Sequence, residues 1–282
     1  MKLSSNFMFF YETFGLEKTV DIFSEAGFEG IDFNTDRPEF WGGEYSPQFY
    51  KNLAMYAEHK GIRFYQTHAP FDIKVEDELA NPERVPRIIK GIEISSYLGA
   101  DMIVVHPSRQ MERYQEIGNY DEMIEKNIKF YSSLLPYAEE YGVKIAVENI
   151  NWCVAETGKG LLDILDGLDN DMFTICYDVG HAHLIGQDAG DMIRTLGNRI
   201  GCTHIHDNDR TDDVHTIPYL GTIDWEDVMK AFAEVGYDGN LNYEAGVFAR
   251  RVPEEFKAEC ANYMAKVGKH LIGRYQYYKE II

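Results

Sequence analysis

EYGVKIAVEN, residues 140–149, contains the reading on which the fold turns. Gly142 follows a stretch of helical periodicity, and glycine accepts the left-handed conformation in which helices commonly end. The run after it, Lys144–Glu148, is short and largely apolar, as a strand buried on both faces should be. It stops abruptly at a carboxylate, Glu148. The same joint recurs in EAGFEGIDF (25–33), HKGIRFYQTH (59–68), YLGADMIVVH (97–106) and EVGYDGNLNYE (234–244). Short strands that alternate with longer helices imply a parallel sheet.

Working outward, the pattern predicts strands at Lys2–Phe10, Gly30–Phe33, Ile62–His68, Met102–His106, Lys144–Glu148, Phe173–Tyr177, Ile200–Ile205 and Asn240–Glu244. Between them it predicts helices at Leu16–Ala26, Pro47–Lys60, Pro82–Leu98, Tyr120–Tyr141, Lys159–Leu168, Asp188–Leu196 and Trp225–Val235, with a last one over Pro253–Tyr278. Eight such units in 282 residues, with no compositional break, imply one (β/α)₈ TIM barrel spanning residues 1–282 as a single domain. The alternative is an open doubly wound sheet. It is disfavoured because no G-x-G-x-x-G turn follows the first strand.

Composition narrows the function. A formal net charge of −20, from 47 acidic against 27 basic residues, repels a phosphate backbone and an anionic membrane surface, so neither nucleic acid nor membrane is an expected partner. No run of about 18 apolar residues is present, and the N-terminal residues lack the apolar core of a signal peptide. The cytoplasm is the expected location. Cys153, Cys176, Cys202 and Cys260 are too far apart for a zinc knuckle or a C-x-x-C pair, and free thiols are expected.

The chemistry lies at the strand ends. Consecutive strands run into His68, His106, Glu148, Asp178, the pair His204 and His206, and Glu244. In a parallel barrel all C-terminal strand ends open onto one mouth, where active sites are built. A single polar residue ending a strand is ordinarily a solvated loop residue. Six successive strand ends that all supply ligand-type residues are harder to explain by solvation. Glu148, Asp178 and Glu244 crowded together would repel one another, and a divalent cation resolves that conflict. Mixed oxygen and imidazole donors suit Mn²⁺, Co²⁺, Fe²⁺ or Zn²⁺ better than Ca²⁺.

The motifs HAPF (68–71), VVHPS (104–108), VENI (147–150), YDVGHAH (177–183), HIHDNDR (204–210), DVHTIPYLGTIDW (213–225) and NYEAG (242–246) resemble the xylose-isomerase-like barrel superfamily. That superfamily holds sugar and sugar-phosphate isomerases, 3-epimerases and the type IV AP endonucleases. The resemblance implies Glu148, Asp178, His204 and Glu244 as ligands of one divalent metal, Mn²⁺ first, with Co²⁺, Zn²⁺ or Mg²⁺ as alternatives. It also implies Glu148 and Glu244 as an acid/base pair on opposite faces of the substrate. Inverting a carbon beside a carbonyl needs a proton acceptor on one face and a donor on the other. His181 and Arg210 match positions that touch substrate oxygens, and His68, His106 and Trp41 complete the expected substrate contacts. Phe40, Trp41 and Tyr45, in NTDRPEFWGGEYSP (34–47), read either as a lid over a polyol or as a packed loop. Val154 stands where the pattern puts a substrate-binding acid, with Glu156 two residues on, so Asn149, Asn151 and Trp152 are expected to line the pocket instead. Asp207 is expected to orient His204, with His206 as a supporting donor. In PYLGTIDW (218–225) Gly221 makes the turn, Asp224 caps the next helix and Trp225 packs.

The endonuclease pattern fits as well. It uses His68, His106, Glu148, Asp178, His181, His204, Asp213, His215 and Glu244 around three zinc ions, which makes Asp213 and His215 candidate additional ligands. The acidic surface and the absence of a basic DNA-reading loop favour the sugar side. The expected activity is therefore a metal-dependent isomerase or 3-epimerase acting on a sugar or sugar phosphate. An AP-endonuclease-type phosphodiesterase, a lyase or dehydratase of the same fold, and a non-catalytic binding module are the alternatives. The aromatic segment RYQYYKEII (274–282) is expected to pack on the barrel or on a second subunit of a homo-oligomer.

Overall fold

The computed structural model describes residues 1–71, 83–108 and 119–282. Eight parallel strands form the sheet: β1 (Lys2–Asn6), β2 (Gly30–Asn34), β3 (Arg63–His68), β4 (Met102–Val105), β5 (Lys144–Glu148), β6 (Phe173–Asp178), β7 (Ile200–His204) and β8 (Asn240–Tyr243). Each pairs with its sequence neighbours from β1 to β7, and β1 also pairs with β8. A ring of helices surrounds them, including Leu16–Ala26, Pro47–His59, Arg84–Leu98, Tyr120–Tyr141, Gly158–Leu168, Ala189–Leu196 and Trp225–Glu234. The chain is a (β/α)₈ barrel, as its punctuation implies. The helix expected from Pro82 starts at a residue outside those described; its described part is Arg84–Leu98.

The seam between β7 and β8 is closed differently from the others. Ile205, just past β7, bridges Tyr243; its N–H donates to Asn242 O at 2.8 Å, and Glu244 N–H donates to Ile205 O at 3.1 Å. Lower down, the Thr203 hydroxyl donates to Asn240 O at 2.7 Å and accepts from Asn242 N–H at 3.3 Å. A side chain there takes the place of backbone pairing.

Successive strand residues face opposite sides, so the barrel lumen is lined in layers two residues apart. The lower layer contains Asp32, Gln66, Val104, Ala146, Cys176, Cys202 and Asn242, all fully buried. Val104, Ala146, Cys176 and Cys202 form a small apolar cluster of their own under β4–β7. The side under β8, β2 and β3 is polar. Two residues on, the upper layer brings in His68, His106, Glu148, Asp178, His204 and Glu244. The main apolar core lies outside the barrel, between sheet and helices.

Three expectations change. Lys2–Phe10 is not one strand: β1 ends at Asn6, whose side-chain oxygen accepts from Met8 N–H at 3.0 Å and starts a short helix, Met8–Phe14. The residues after Asp178, where no helix was expected, form one: Asp178 accepts from His181 N–H and caps Val179–Leu184. The last helix runs over Lys257–Ile281 and packs on the barrel through buried Tyr275. Arg274 and Tyr278 also bind Glu226 on the helix Trp225–Glu234.

Candidate metal and substrate site

Glu148 stands at the centre of the mouth. His204 Nδ1 lies 2.8 Å from its Oε1, and His106 Nε2 and His68 Nε2 lie 3.0 and 3.4 Å from its Oε2. His181 Nδ1 approaches Oε1 at 3.8 Å. Burial opposes ionisation of Glu148, but His204 and His106 more than offset this and hold its pKa well below the carboxylate range. His204 Nδ1 is also 3.2 Å from Glu244 Oε2 and 4.0 Å from Asp178 Oδ2. The expected metal set, Glu148, Asp178, His204 and Glu244, thus converges from four successive strands, with its donor atoms within 4.8 Å of one another.

A second group of donors, His181, His206, Asp213 and His215, lies beside the first. His206 Nε2 is 3.1 Å from Asp178 Oδ1, and its ring stacks on His215 at 3.9 Å. Asp213 Oδ2 faces His181 Nε2 at 3.3 Å and His215 Nε2 at 3.2 Å. His68, Glu148 and His204 make a third overlapping set. All nine residues of the endonuclease pattern therefore meet at one mouth, together with His206.

The imidazoles are aimed from behind. His68 Nδ1–H donates to Ala69 O at 2.8 Å, His181 Nδ1–H to Asn149 O at 2.9 Å and His215 Nδ1–H to Glu244 O at 2.7 Å. Each bond fixes the ring and leaves Nε2 turned toward a carboxylate, the usual arrangement of a metal-binding histidine. Burial alone would lower the pKa of His68, but Glu148 raises it to about 9; Asp213 and Glu244 raise His215 to about 9 against the same penalty. At His106 burial wins, and its pKa falls to about 4. His181 and His204, also opposed by burial, are held well above the ordinary value by neighbouring anionic groups. Glu148 Oε2, Asp178 Oδ2, Asp213 Oδ1 and both His206 nitrogens are buried without a hydrogen bond within the chain. Carboxylates and imidazoles converging with unsatisfied donor atoms fit a divalent cation of the Mn²⁺, Co²⁺ or Zn²⁺ type.

The remaining expected residues are placed as follows. His68, His106 and His181 surround Glu148. Arg210 does not join them: it is exposed, in a left-handed conformation (φ 69°), and its Nε–H points to His183 Nδ1 at 3.4 Å. His183 itself is turned away to Thr222. Trp41 lies under the Arg87 guanidinium at 4.3 Å, Phe40 is core, and Tyr45 stacks on Phe49 at 4.2 Å. The aromatic segment is thus a packed loop. Asn149 brackets Asp178, accepting from its N–H at 2.6 Å and donating to its carbonyl at 2.7 Å, while Trp152 is exposed. Gly180 is required by close approach, since a Cβ there would stand 2.1 Å from the His206 ring.

Asp207 does not orient His204. Its carboxylate accepts from Asn208 N–H (2.9 Å), Tyr219 N–H (2.9 Å), Ile223 N–H (3.2 Å) and Trp225 Nε1–H (2.8 Å), tying down the loop that carries Asp213 and His215. Gly221 is needed beside it, where a Cβ would meet Asp207 Oδ1 at 2.2 Å. Asp224 caps its helix and Trp225 is buried, as expected. Asp207→Ala leaves three backbone N–H groups and one indole unpaired, and should cost about 3 kcal/mol in urea unfolding. A loss below about 1 kcal/mol would mean that the loop is held by other contacts.

The position behind His204 is taken by Asp32, whose Oδ2 is 3.3 Å from His204 Nε2. Nothing in the sequence singled out Asp32, because a carboxylate in mid-strand looks like ordinary polar alternation.

Residues 20–263 match the family model described as xylose isomerase-like TIM barrel. The chain is 23% identical over 254 residues to an inosose isomerase of Bacillus velezensis, covering 86% of this chain and 88% of that one. Among solved structures, a D-tagatose 3-epimerase-like protein aligns at a TM-score of 0.77 with 23% identity, over 98% of this chain and 99% of the other. A zinc-bound IolI protein aligns at 0.76 with 22% identity, over 99% of both.

Proposed function

Because the chain belongs to the xylose isomerase-like TIM-barrel family, we propose that it is a divalent-metal-dependent isomerase or epimerase of a sugar or polyol ketone. The observation that carries this reading is the convergence of Glu148, Asp178, His204 and Glu244 on one point at the mouth. These four residues would hold the ion, which supplies Lewis-acid stabilisation of the negative charge that develops on substrate oxygen. The rest is acid–base work by this chain. Glu244 keeps 19% of its side chain exposed, whereas Glu148 keeps 1%. Glu244 therefore meets the substrate from the open side and takes the proton from the carbon beside the carbonyl. Glu148, ionised at rest, relays to the other face of the enediolate a proton that the His68 imidazolium gives up across 3.4 Å, and Glu244 then loses its own proton to solvent. His68, His106 and His181 hold Glu148 in place and exclude water from it.

A second reading, hydrolysis of a phosphodiester, is favoured by the group His181, His206, Asp213 and His215, which can take a further cation. One experiment separates the two. Protein stripped with chelator and reloaded with Mn²⁺ is incubated in D₂O with D-tagatose, D-fructose and an inosose, and in parallel with bis-(p-nitrophenyl) phosphate. Metal-dependent deuterium uptake beside a carbonyl is expected. Diester cleavage without such uptake would overturn the isomerase reading.

A further inference from the structure

Among the histidines at the mouth, His204 is anchored differently. His68, His181 and His215 each donate their second ring N–H to a neutral backbone carbonyl. His204 instead brings Nε2 to within 3.3 Å of a carboxylate oxygen, Asp32 Oδ2, in a charge contact without a formed hydrogen bond, and turns Nδ1 to Glu148 and Glu244. Asp32 is 0% exposed and sits in the lower layer of the lumen. Its Oδ2 also accepts from Asn242 Nδ2–H at 2.9 Å and Gln66 Nε2–H at 3.3 Å, while Oδ1 has no hydrogen bond within the chain. Side chains of two strands, β3 and β8, thus hold one carboxylate oxygen beneath the only ring in the four-residue metal set. The neighbouring half of that layer is apolar, so Asp32 has no route to solvent on that side. A buried carboxylate is costly unless it is paired, and its nearest titratable partner is His204.

We propose that Asp32 is a positioning residue for the metal site. It keeps the proton of His204 on Nε2, so that the Nδ1 lone pair faces Glu148, Asp178 and Glu244, and it increases the donor strength of that nitrogen. An anionic partner behind a ligating imidazole does both, and its loss typically lowers metal affinity 10–100-fold. Asp32 touches neither the ion nor the substrate and acts through His204 alone. The inference rests on the metal reading of the site given above.

Two measurements with Zn²⁺ as the probe test it. In the Zn²⁺-loaded wild-type protein, ¹⁵N imidazole spectra should show His204 with a protonated Nε2 and a coordinated Nδ1. The reverse assignment, with Nδ1–H and coordinated Nε2, would overturn the proposal without any variant having to fold. In chelator competition, Asp32→Asn should bind Zn²⁺ 10–100-fold more weakly, with little change in the melting temperature of the metal-free protein. Affinity within about 3-fold of wild type would overturn the proposal and leave the metal reading intact. Failure of the wild-type protein to bind Zn²⁺ at all would overturn both.

Discussion

Glu244→Gln should lower turnover by about 10³-fold, within the range that one positioned acid–base group supplies, while the protein stays folded. Glutamine keeps the shape and one oxygen, so Glu244→Gln retains most of the contacts at the mouth and loses the proton acceptor. Glu148→Gln should abolish turnover at least as completely, with a second effect that Glu244→Gln lacks. Glu148 is the anion around which His204, His106, His68 and His181 are gathered. Neutralising it leaves buried imidazoles without their counter-charge, a change that costs roughly 3–5 kcal/mol in buried pairs. Metal-free Glu148→Gln should therefore unfold at clearly lower urea than metal-free Glu244→Gln. Initial rates on the ketose that shows deuterium uptake, paired with urea titrations, check both statements. Retained turnover in either variant would sink the two-carboxylate mechanism.

The response of stability to pH should change sign when metal is bound. In the metal-free protein His68 and His215 are raised from an ordinary value near 6.5 to about 9 by their carboxylate partners. A raised histidine contributes stability that is fully present below its unfolded pKa and lost as pH rises through its folded one. Metal-free protein should therefore lose stability between pH 6.5 and 9, by a few kcal/mol in order of magnitude for the two groups. A cation held by Glu148 and Glu244 takes the counter-charge of these neighbouring rings and favours release of their protons, so the stabilisation by the ion grows over the same interval. Melting temperatures from pH 6 to 9.5, with chelator and with saturating Mn²⁺, should slope in opposite directions. Parallel slopes would mean that the ion does not draw Glu148 and Glu244 away from these histidines.

Much of the barrel was legible because each unit repeats a local signal: the glycine joint at Gly142, the apolar run after it and the carboxylate at Glu148. The mouth was legible for the same reason, since parallel strands bring all their ends together whatever their separation in sequence. What escaped were relations that no local signal encodes. Asp32 finds its partners on β3, β7 and β8, and in GIDFN it looks like an ordinary alternating polar residue. Arg210 was expected at the site from the resemblance to the family pattern, yet in its left-handed conformation, φ 69°, it points to His183. Trp41 ends the short helix Pro38–Trp41 beside rings that pack inward, and its own partner, Arg87, lies on a different helix. Phe7–Phe10 looks like a continuation of β1 because an apolar run does not announce that Asn6 will start a helix.

The seam between β7 and β8 gives the ion a mechanical part to play. Elsewhere in the ring neighbouring strands are joined by backbone ladders, but there the join rests on the Thr203 hydroxyl and on the bridge at Ile205. His204 and Glu244 stand on its two sides. A cation held by both is a clasp across the weakest stave of the barrel, linking points 40 residues apart along the chain. Amides along that seam should thus be the ones whose hydrogen exchange slows most when the ion binds, although they contact neither substrate nor metal.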